Sequence, residues 1–164
     1  MDDKIKDEII KLVRESRDAI VCAVDEDGFP TAKAMFRRAN DGLSVFWLST
    51  NVSARFTRLF RKNAKSSLYF FDPLQIHGLS LTGDMYVFED EKTKRDFWRD
   101  GDEKYYAKGP TDPDYCMLRF DADKGRYYAG DRKLIFSAAD MELLYEEHYH
   151  GQWQKEFKKG VEKL

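Results

Sequence analysis

Apolar residues recur every three to four positions near the start of the chain, whereas further along they alternate or form short runs. Over residues 3–16 the apolar side chains share one face and Lys, Asp and Glu occupy the other. This spacing is typical of an amphipathic helix. Residues 52–63 return to the same spacing, and residues 90–99 are predicted to be a helix that Asp90 caps at its N-terminus.

Short apolar runs between these helices are separated by turn residues, and Asp27-Gly28 and Asp41-Gly42 are strong hairpin signals. The pattern predicts strands over residues 19–24, 31–37, 43–49, 66–71 and 79–88. Two further short strands, 115–120 and 125–128, are expected to face each other across residues 121–124. Six or seven strands joined by hairpins predict a mainly β (α+β) protein, an antiparallel barrel with helical additions.

The remaining segments complete one predicted domain over residues 1–164. Residues 101–114 contain two of the 4 prolines and are expected to be mostly loop. After Ser137 the helical spacing returns, which predicts a helical extension over about 138–164. Hydrophobic residues make up 42% of the chain and aromatic residues 15%, a composition that excludes intrinsic disorder.

The charged residues are balanced, with 28 Lys and Arg against 30 Asp and Glu. This balance argues against the broad positive field that nucleic-acid or anionic-membrane binding needs, so any anion must be held locally. The longest apolar runs are far shorter than the ~20 residues that span a bilayer. The acidic start Met1-Asp2-Asp3 does not resemble a signal peptide, and a cytoplasmic location is expected.

The cysteines and the paired histidines give no sign of metal binding. Cys22 and Cys116 lie in apolar segments without a CxxC spacing, so both are predicted to be buried free thiols. His148 and His150 are two positions apart, which does not place both imidazoles on one helix face. We therefore expect no metal site.

The segment from Ser49 to Arg55 stands where a strand ends and a helix begins. Free backbone N–H groups and the helix dipole make such a junction suitable for an anion. Ser49, Thr50 and Ser53 add hydroxyl donors, and the Arg55 guanidinium can bind a phosphate through two parallel hydrogen bonds. The alternative is that Asn51 or Ser53 merely caps the helix and that Arg55 is solvated.

Several short motifs follow one another between about residue 17 and residue 129. They are Pro30, Lys33-Ala34-Met35, Thr50-Asn51-x-Ser53-x-Arg55, Leu81-Thr82-Gly83 ahead of Asp90, Phe97-Trp98, Tyr105-Tyr106 to Gly109 with Asp112-Pro113-Asp114, and Met117-Leu118-Arg119-Phe120 with Arg126-Tyr127-Tyr128. In this order the motifs resemble the flavin-binding split-barrel family, in particular the general-stress-protein branch of the pyridoxamine 5′-phosphate oxidase-like proteins.

The resemblance implies an FMN cofactor in a homodimer, with each flavin in a groove at the subunit interface. It implies that Ser53 and Arg55 hold the phosphate and that Thr50 with Ser49 binds the phosphate or the nearby ribityl chain. Lys33 takes the place of the arginine that the family usually has, and it becomes the second phosphate cation. A phosphate carries about −1.5 to −2 charges, which two cations and several donors suit.

The same resemblance implies that Met35, Ala34 and the neighbouring backbone line the flavin edge. The family more often has proline at position 34 and lysine at position 55, and these departures affect geometry more than charge. Trp98, with Tyr105 and Tyr106, is expected in the core or at the dimer interface, or alternatively over the partner's flavin. His77 is interpreted as a loop residue, with a contact to the ring or substrate as the alternative.

True pyridoxamine 5′-phosphate oxidases carry an Arg-x-His arrangement in the C-terminal tail, and residues 129–136 of this chain lack it. Vitamin B6 oxidation is therefore not expected. The resemblance implies an FMN-dependent oxidoreductase of unknown substrate, reduced by a nicotinamide or another partner, and it nominates no catalytic residue. The alternatives are a non-enzymatic flavin or haem carrier, a stress-linked redox sensor, and an interaction module without a cofactor.

Overall fold

The computed structural model describes residues 3–137 and Asp140. Its helices are α1 (Asp3–Glu15), α2 (Arg55–Lys62) and α3 (Glu91–Asp96). Its strands are β1 (Asp18–Val24), β2 (Pro30–Asp41), β3 (Val45–Asn51), β4 (Lys65–Asp72), β5 (His77–Phe88), β6 (Tyr115–Ala129) and β7 (Arg132–Ser137). The predicted helical extension over 138–164, with His148 and His150, lies outside the described residues.

The helix predictions are confirmed with small changes at their ends. Asp90 caps α3, because its carboxylate accepts a hydrogen bond of 2.9 Å from the backbone N–H of Thr93. Helix α2 begins at Arg55 rather than at residue 52, since Ala54 donates its N–H to the carbonyl of Asn51 and closes a turn ahead of the helix. The segment predicted as loop contains two short 3₁₀ helices, Asp102–Lys104 and Gly109–Thr111.

All seven strands form one antiparallel sheet in the order β3-β2-β1-β4-β5-β6-β7, and β3 also pairs with β6. The β3–β6 pairing closes six strands into a barrel and leaves β7 outside it. The expected antiparallel barrel with helical additions is therefore confirmed. Closure also pairs an edge of β3 with β6 that would otherwise expose unpaired backbone groups.

The prediction of two short strands over 115–120 and 125–128 is wrong. Residues 115 to 129 form the single strand β6, and residues 121–124, predicted as a turn, lie within it. The strand stays continuous because β5 pairs with it on both sides of a bulge between Thr82 and Gly83. On its other side β6 pairs first with β3 and then with β7, a strand that the sequence pattern did not reveal.

The barrel interior is filled by the alternate, inward-facing residues of the strands. The ring centroids of Phe46 and Phe70 lie 5.6 Å apart, and those of Phe46 and Phe120 lie 6.5 Å apart. Helix α1 buries Ile9 and Val13 against this interior, as its apolar face predicts. The aromatic residues thus supply much of the core, since each ring buries a large apolar area.

A second cluster lies on the outward face of β3 and β6, and we call it the outer aromatic cluster. Its buried members are Tyr106, Tyr115 and Met117, with Trp47, Phe88, Phe97 and Trp98 packed against them. The rings of Trp98 and Tyr115 meet edge to face at 5.3 Å. This cluster holds the segment between α3 and β6 against the barrel.

The two cysteines are free thiols, as predicted, but only Cys116 is fully buried. Cys22 is half-buried because it faces outward on β1, whereas its neighbours Val21 and Ala23 face the core. Burial raises the pKa of the Cys116 thiol to about 12. Among the helices of the described residues, none is long and apolar enough to span a membrane.

The β5 bulge leaves no room for a side chain at Gly83. A Cβ atom there would lie 2.0 Å from the carbonyl oxygen of Asp121, a backbone atom of the neighbouring strand. We expect Gly83→Ala to lower the free energy of unfolding by about 2–3 kcal/mol, because the two strands must move apart. Urea denaturation measures this loss. The exposed neighbour serves as control, since Thr82→Ala should change stability by only about 0.5 kcal/mol, and equal losses in both variants would contradict the account.

Candidate functional site

The sheet opens between β2 and β3. Their pairing runs from Asp41 opposite Val45 to Arg37 opposite Leu48, with a bulge at Arg38. Before this point, residues 30–36 of β2 pair with β1 alone, and residues 49–51 of β3 pair with β6 alone. Two strand edges therefore face each other without a shared ladder. Backbone donors and acceptors on these edges are available to a ligand or to water except where the chain occupies them, as at Asn51, whose carbonyl accepts from the Ala54 N–H and the Thr57 hydroxyl.

A cleft of about 390 Å³ lies between these two edges. It is lined by Asp18, Lys33, Ala34, Met35, Phe36, Arg38, Ser49, Thr50, Asn51, Tyr105 and Tyr106. The volume lies within the range of about 300–1,000 Å³ that small-molecule and cofactor sites occupy. Five of the eight residues that the sequence assigned to the cofactor line this cleft, namely Lys33, Ala34, Met35, Ser49 and Thr50, whereas Ser53, Arg55 and Trp98 are not among its lining residues.

Arg38 is a cleft residue that the sequence analysis missed. Its Nε donates to Ser49 Oγ at 2.7 Å, and its Nη2 lies 2.8 Å from Asp102 Oδ1. The side chains of Arg38 and Asp102 are only 8% and 9% exposed. The Arg99 guanidinium donates to the Arg38 carbonyl, and the Arg99 N–H donates to Asp102 Oδ2. These contacts hold the Arg38 guanidinium in the cleft wall and attach the segment from Arg99 to Asp102 to β2.

Tyr106 forms the opposite part of the cleft wall and belongs to the outer aromatic cluster. Its ring centroid lies 4.7 Å from that of Tyr115 and 6.2 Å from that of Trp98. Burial raises the pKa of Tyr115 to about 12, and burial also raises that of Tyr106, so both phenols stay protonated at neutral pH. Trp98 packs behind Tyr106 and is not among the cleft-lining residues.

The start of α2 is organised by the Asp114 carboxylate. This group accepts hydrogen bonds from Ser53 N–H at 2.7 Å, Ser53 Oγ at 3.0 Å and Asn51 Nδ2 at 2.8 Å. These donors, the Ser53 amide first, hold the pKa of Asp114 below its ordinary value. The N-cap of α2 is Ala54, which has no capping side chain, so the alternative that Asn51 or Ser53 caps the helix is wrong.

Arg55 points toward the turn between β1 and β2. Its Nη2 lies 3.1 Å from Glu26 Oε2 and 3.4 Å from Asp25 Oδ2, and 48% of its side chain is exposed. Hydrogen bonding and charge, from Glu26 above all, raise the pKa of Arg55. Lys33 Nζ lies 5.6 Å from the ring centroid of Phe56, in the first turn of α2. Lys33 thus links the cleft to the start of α2.

His77 takes part in a separate network. It is the first residue of β5, and its Nδ1 lies 3.2 Å from the Tyr127 hydroxyl. That hydroxyl is 3.1 Å from Glu8 Oε2, which also pairs with Arg132 at 2.9 Å. The network ties α1 to β6 and β7, and His77 does not line the cleft.

A closed antiparallel barrel whose sheet parts between two strands, over a cleft lined with cations and hydroxyl groups, is a split barrel with a candidate ligand site. The family comparison agrees with this class. Residues 4–143 match the model of the family described as "Pyridoxamine 5'-phosphate oxidase like". The chain therefore belongs to the pyridoxamine 5′-phosphate oxidase-like family, as the motifs indicated.

The chain is also similar to solved structures. One of them is a protein from Clostridium acetobutylicum that is related to general stress protein 26 of B. subtilis. The two chains share 40% identity with a TM-score of 0.79, and the match covers 86% of this chain and 99% of that one. A pyridoxamine 5′-phosphate oxidase-related, FMN-binding protein from Nostoc punctiforme has 11% identity and a TM-score of 0.57, with 80% and 86% of the chains covered.

A haem-binding protein from Mycobacterium smegmatis has 15% identity and a TM-score of 0.68, with 84% of this chain and 60% of that one covered. Likeness at these low identities shows the shared fold. A comparison with curated proteins finds no match.

Asp114→Asn tests the account of the α2 start. Loss of the charge weakens three hydrogen bonds, so we expect the free energy of unfolding to fall by about 1–2 kcal/mol at pH 7. Because the folded-state pKa of Asp114 is depressed, its contribution is present above the ordinary value of 3.8 and is lost as the pH falls below it. Urea denaturation at pH 7 and at lower pH should show the difference from wild type shrinking. The exposed Asp123→Asn is the control, and a gap that stays constant would contradict the account.

Proposed function

We propose that the chain binds FMN in the cleft between β2 and β3 and acts as an FMN-dependent oxidoreductase. The observation that carries the proposal is the meeting, in one cleft, of two unpaired strand edges with Lys33, Ser49 and Thr50. Membership of the family and the likeness to an FMN-binding protein from Nostoc punctiforme support it.

The residues present fit a flavin in shape and in chemistry. A flavin ring is planar and carries both N–H and C=O groups, and strand edges offer the complementary acceptors and donors side by side. Met35 and Ala34 supply apolar contact on β2, while Ser49 and the fixed Arg38 guanidinium supply donors across the cleft. We assign the ring to this part of the cleft.

The phosphate belongs, in this proposal, at the end of the cleft nearest α2. Lys33 reaches the first turn of α2, and Thr50 is a buried hydroxyl on the adjacent edge. Arg55 and Ser53 stand at the helix start, where the N–H groups of the first turn lack a side-chain cap. Cations and free N–H groups together favour a phosphate.

Bound FMN supplies hydride and electron transfer, for which the protein provides position and electrostatics. Tyr106 and Tyr115 stay protonated and the outer aromatic cluster excludes water behind the cleft. We assign no acid or base. A reduced nicotinamide is the reductant that we propose, and a carrier or sensor role without turnover is the alternative.

The outer face of β1, β2 and β4 supports a homodimer that completes the site. Ile20, Phe36 and Phe71 are exposed by 41%, 44% and 45% on this face. Ile20 lies directly opposite Ala34 on β2 and Tyr69 on β4, so these side chains share one surface. Phe36 and Ala34 also line the cleft. A second copy seated here would therefore cover the cleft mouth and remove an apolar patch from water.

Absorbance of the purified protein tests the cofactor. We expect the spectrum of oxidised flavin in the wild type and a colourless Lys33→Ala/Arg55→Ala double variant, because the phosphate then meets carboxylates without its two cations. A double variant that stays yellow with full flavin would refute the phosphate assignment. A Soret band would favour a haem carrier. Saturating FMN that neither binds nor raises the melting temperature would favour a module without a cofactor.

Stopped-flow reduction separates the enzyme from the carrier. Mixed with NADH or NADPH without oxygen, an oxidoreductase reduced by a nicotinamide should lose its flavin absorbance with a rate that saturates in the nucleotide. No reduction by either nucleotide would favour the carrier.

The Arg38→Lys variant keeps the charge but not the forked geometry, so its flavin spectrum should shift if the guanidinium borders the ring.

Ile20→Lys tests the dimer. A charge at the centre of the apolar face should convert a dimer to a monomer at micromolar concentration and weaken FMN binding, as analytical ultracentrifugation and flavin titration would show. Leu74 is 93% exposed in the β4–β5 turn, and Leu74→Lys is the control that should stay dimeric. A wild-type monomer that binds FMN fully would refute the shared site.

A further inference from the structure

Carboxylates of this chain already occupy donors that the proposed function assigns to a phosphate. Both donors of Ser53, the N–H and the Oγ–H, point to Asp114, at 2.7 and 3.0 Å. The Nη2 of Arg55 points to Glu26 and Asp25, at 3.1 and 3.4 Å. The two Ser53 donors and the Nη2 of Arg55 are thus bound to internal anions.

Carboxylates offset most of the positive charge around this point. The cations are Lys33, Arg55, Arg58, which donates to the Ser53 carbonyl at 2.9 Å, and Lys62, whose charge acts on Glu26. Three carboxylates, those of Asp25, Glu26 and Asp114, oppose these four cations. A phosphate with about −1.5 to −2 charges would therefore enter surroundings in which most of the positive charge is already paired.

We infer that the acidic turn between β1 and β2 competes with a flavin phosphate for Arg55 and lowers the preference of this chain for FMN over riboflavin. The inference rests on the proposed function, because it concerns the same phosphate. Glu26 is the residue that sets the preference, and its carboxylate acts on the phosphate group alone.

Competition follows from the position of the guanidinium. Both carboxylates bind the same nitrogen of Arg55, so a phosphate that takes this nitrogen must displace them, and one that takes another nitrogen lies within reach of their repulsion. Charges closer than the Debye length of about 8–10 Å are only partly screened. Displacement of the carboxylates and repulsion by them both weaken phosphate binding. Neither affects the binding of a flavin that lacks the phosphate.

The two carboxylates of the turn differ in what else they do. Asp25 Oδ1 accepts hydrogen bonds from the N–H groups of Asp27 and Phe29, at 3.1 and 2.8 Å, so Asp25 also holds the turn together. The Glu26 side chain is 44% exposed, and in the described residues Arg55 is the only side chain that hydrogen-bonds to it, with Lys62 acting on it through charge alone. Glu26→Gln therefore removes the competing charge while the turn stays in place.

The experiment measures the dissociation constants of FMN and riboflavin for the full chain, freed of flavin, by quenching of flavin fluorescence. Because exposed ion pairs are weak, we expect Glu26→Gln to bind FMN about two- to fivefold more tightly than wild type. Riboflavin affinity should not change. In an Arg55→Ala background, the gain from Glu26→Gln should shrink, since the competed donor is gone.

Glu89→Gln is the matched control. Glu89 pairs with Arg61 in the last turn of α2, and its side chain is 49% exposed, close to the value for Glu26. The substitution makes the same change in net charge at the other end of the same helix. It should leave both flavin affinities unchanged, which separates a local effect from one of overall charge.

Four results would overturn the inference. Equal FMN affinity in Glu26→Gln and wild type would do so while the proposed function stands. Weaker FMN binding would show that Glu26 positions Arg55 for the phosphate. Parallel changes for FMN and riboflavin would show an effect on the fold. A wild-type chain that binds neither flavin would remove the proposed function itself, and the inference with it.

Discussion

A β-strand has two edges, and the uneven use of those edges by β2 and β3 is the constraint on which the site depends. β2 pairs with β1 from residue 30 to residue 36, and β3 pairs with β6 along its whole length. The two strands share a ladder only up to Arg37 and Leu48. The barrel can therefore close through β3 and β6 and still leave a cleft. The bulge at Arg38 marks the point where the sheet parts and places a guanidinium there.

Charge is organised locally in a protein whose overall charge is nearly zero. Within the net charge of −2 are a buried pair at Arg38 and Asp102 in the cleft wall and a group of ion pairs at the start of α2. These arrangements differ in burial. The first is nearly excluded from water and fixes a loop, whereas the second is half-exposed, as the inferred competition for Arg55 requires. Burial thus separates a structural ion pair from one that water can reach.

Local signals carried most of the fold prediction. Turn residues such as Asp41-Gly42 and the capping residue Asp90 act within a few positions, so the sequence alone reveals them. Strand β6 was misjudged because its polar residues 121–124 look like a turn, and only the ladder to β5 shows that they continue the strand. Strand β7 pairs with residues 124–129 of β6, and its own sequence carried no pattern that revealed it.

The site was predicted in part for the same reason. Lys33, Ser49 and Thr50 were identified from motifs, and they line one cleft. Arg38 was not singled out, and Asp114 stood in a motif without a role, because each acts through a residue far along the chain: Arg38 through Asp102, and Asp114 through Ser53. The assignment of Lys33, Ser49 and Thr50 to flavin binding stays a prediction. Contacts over such separations depend on the fold, which no local pattern encodes.

The closing ladder between β3 and β6 has a consequence for synthesis of the chain. Thr50 and Cys116, which lie opposite each other in this ladder, are 66 residues apart. Contacts of this separation carry a larger loop-closure entropy than the hairpins and form later. A growing chain on the ribosome, or a truncated one that ends before residue 115, therefore presents β3 with a free edge. Unpaired edges invite strand addition by other chains, so this is the stage at which the protein most needs protection from aggregation.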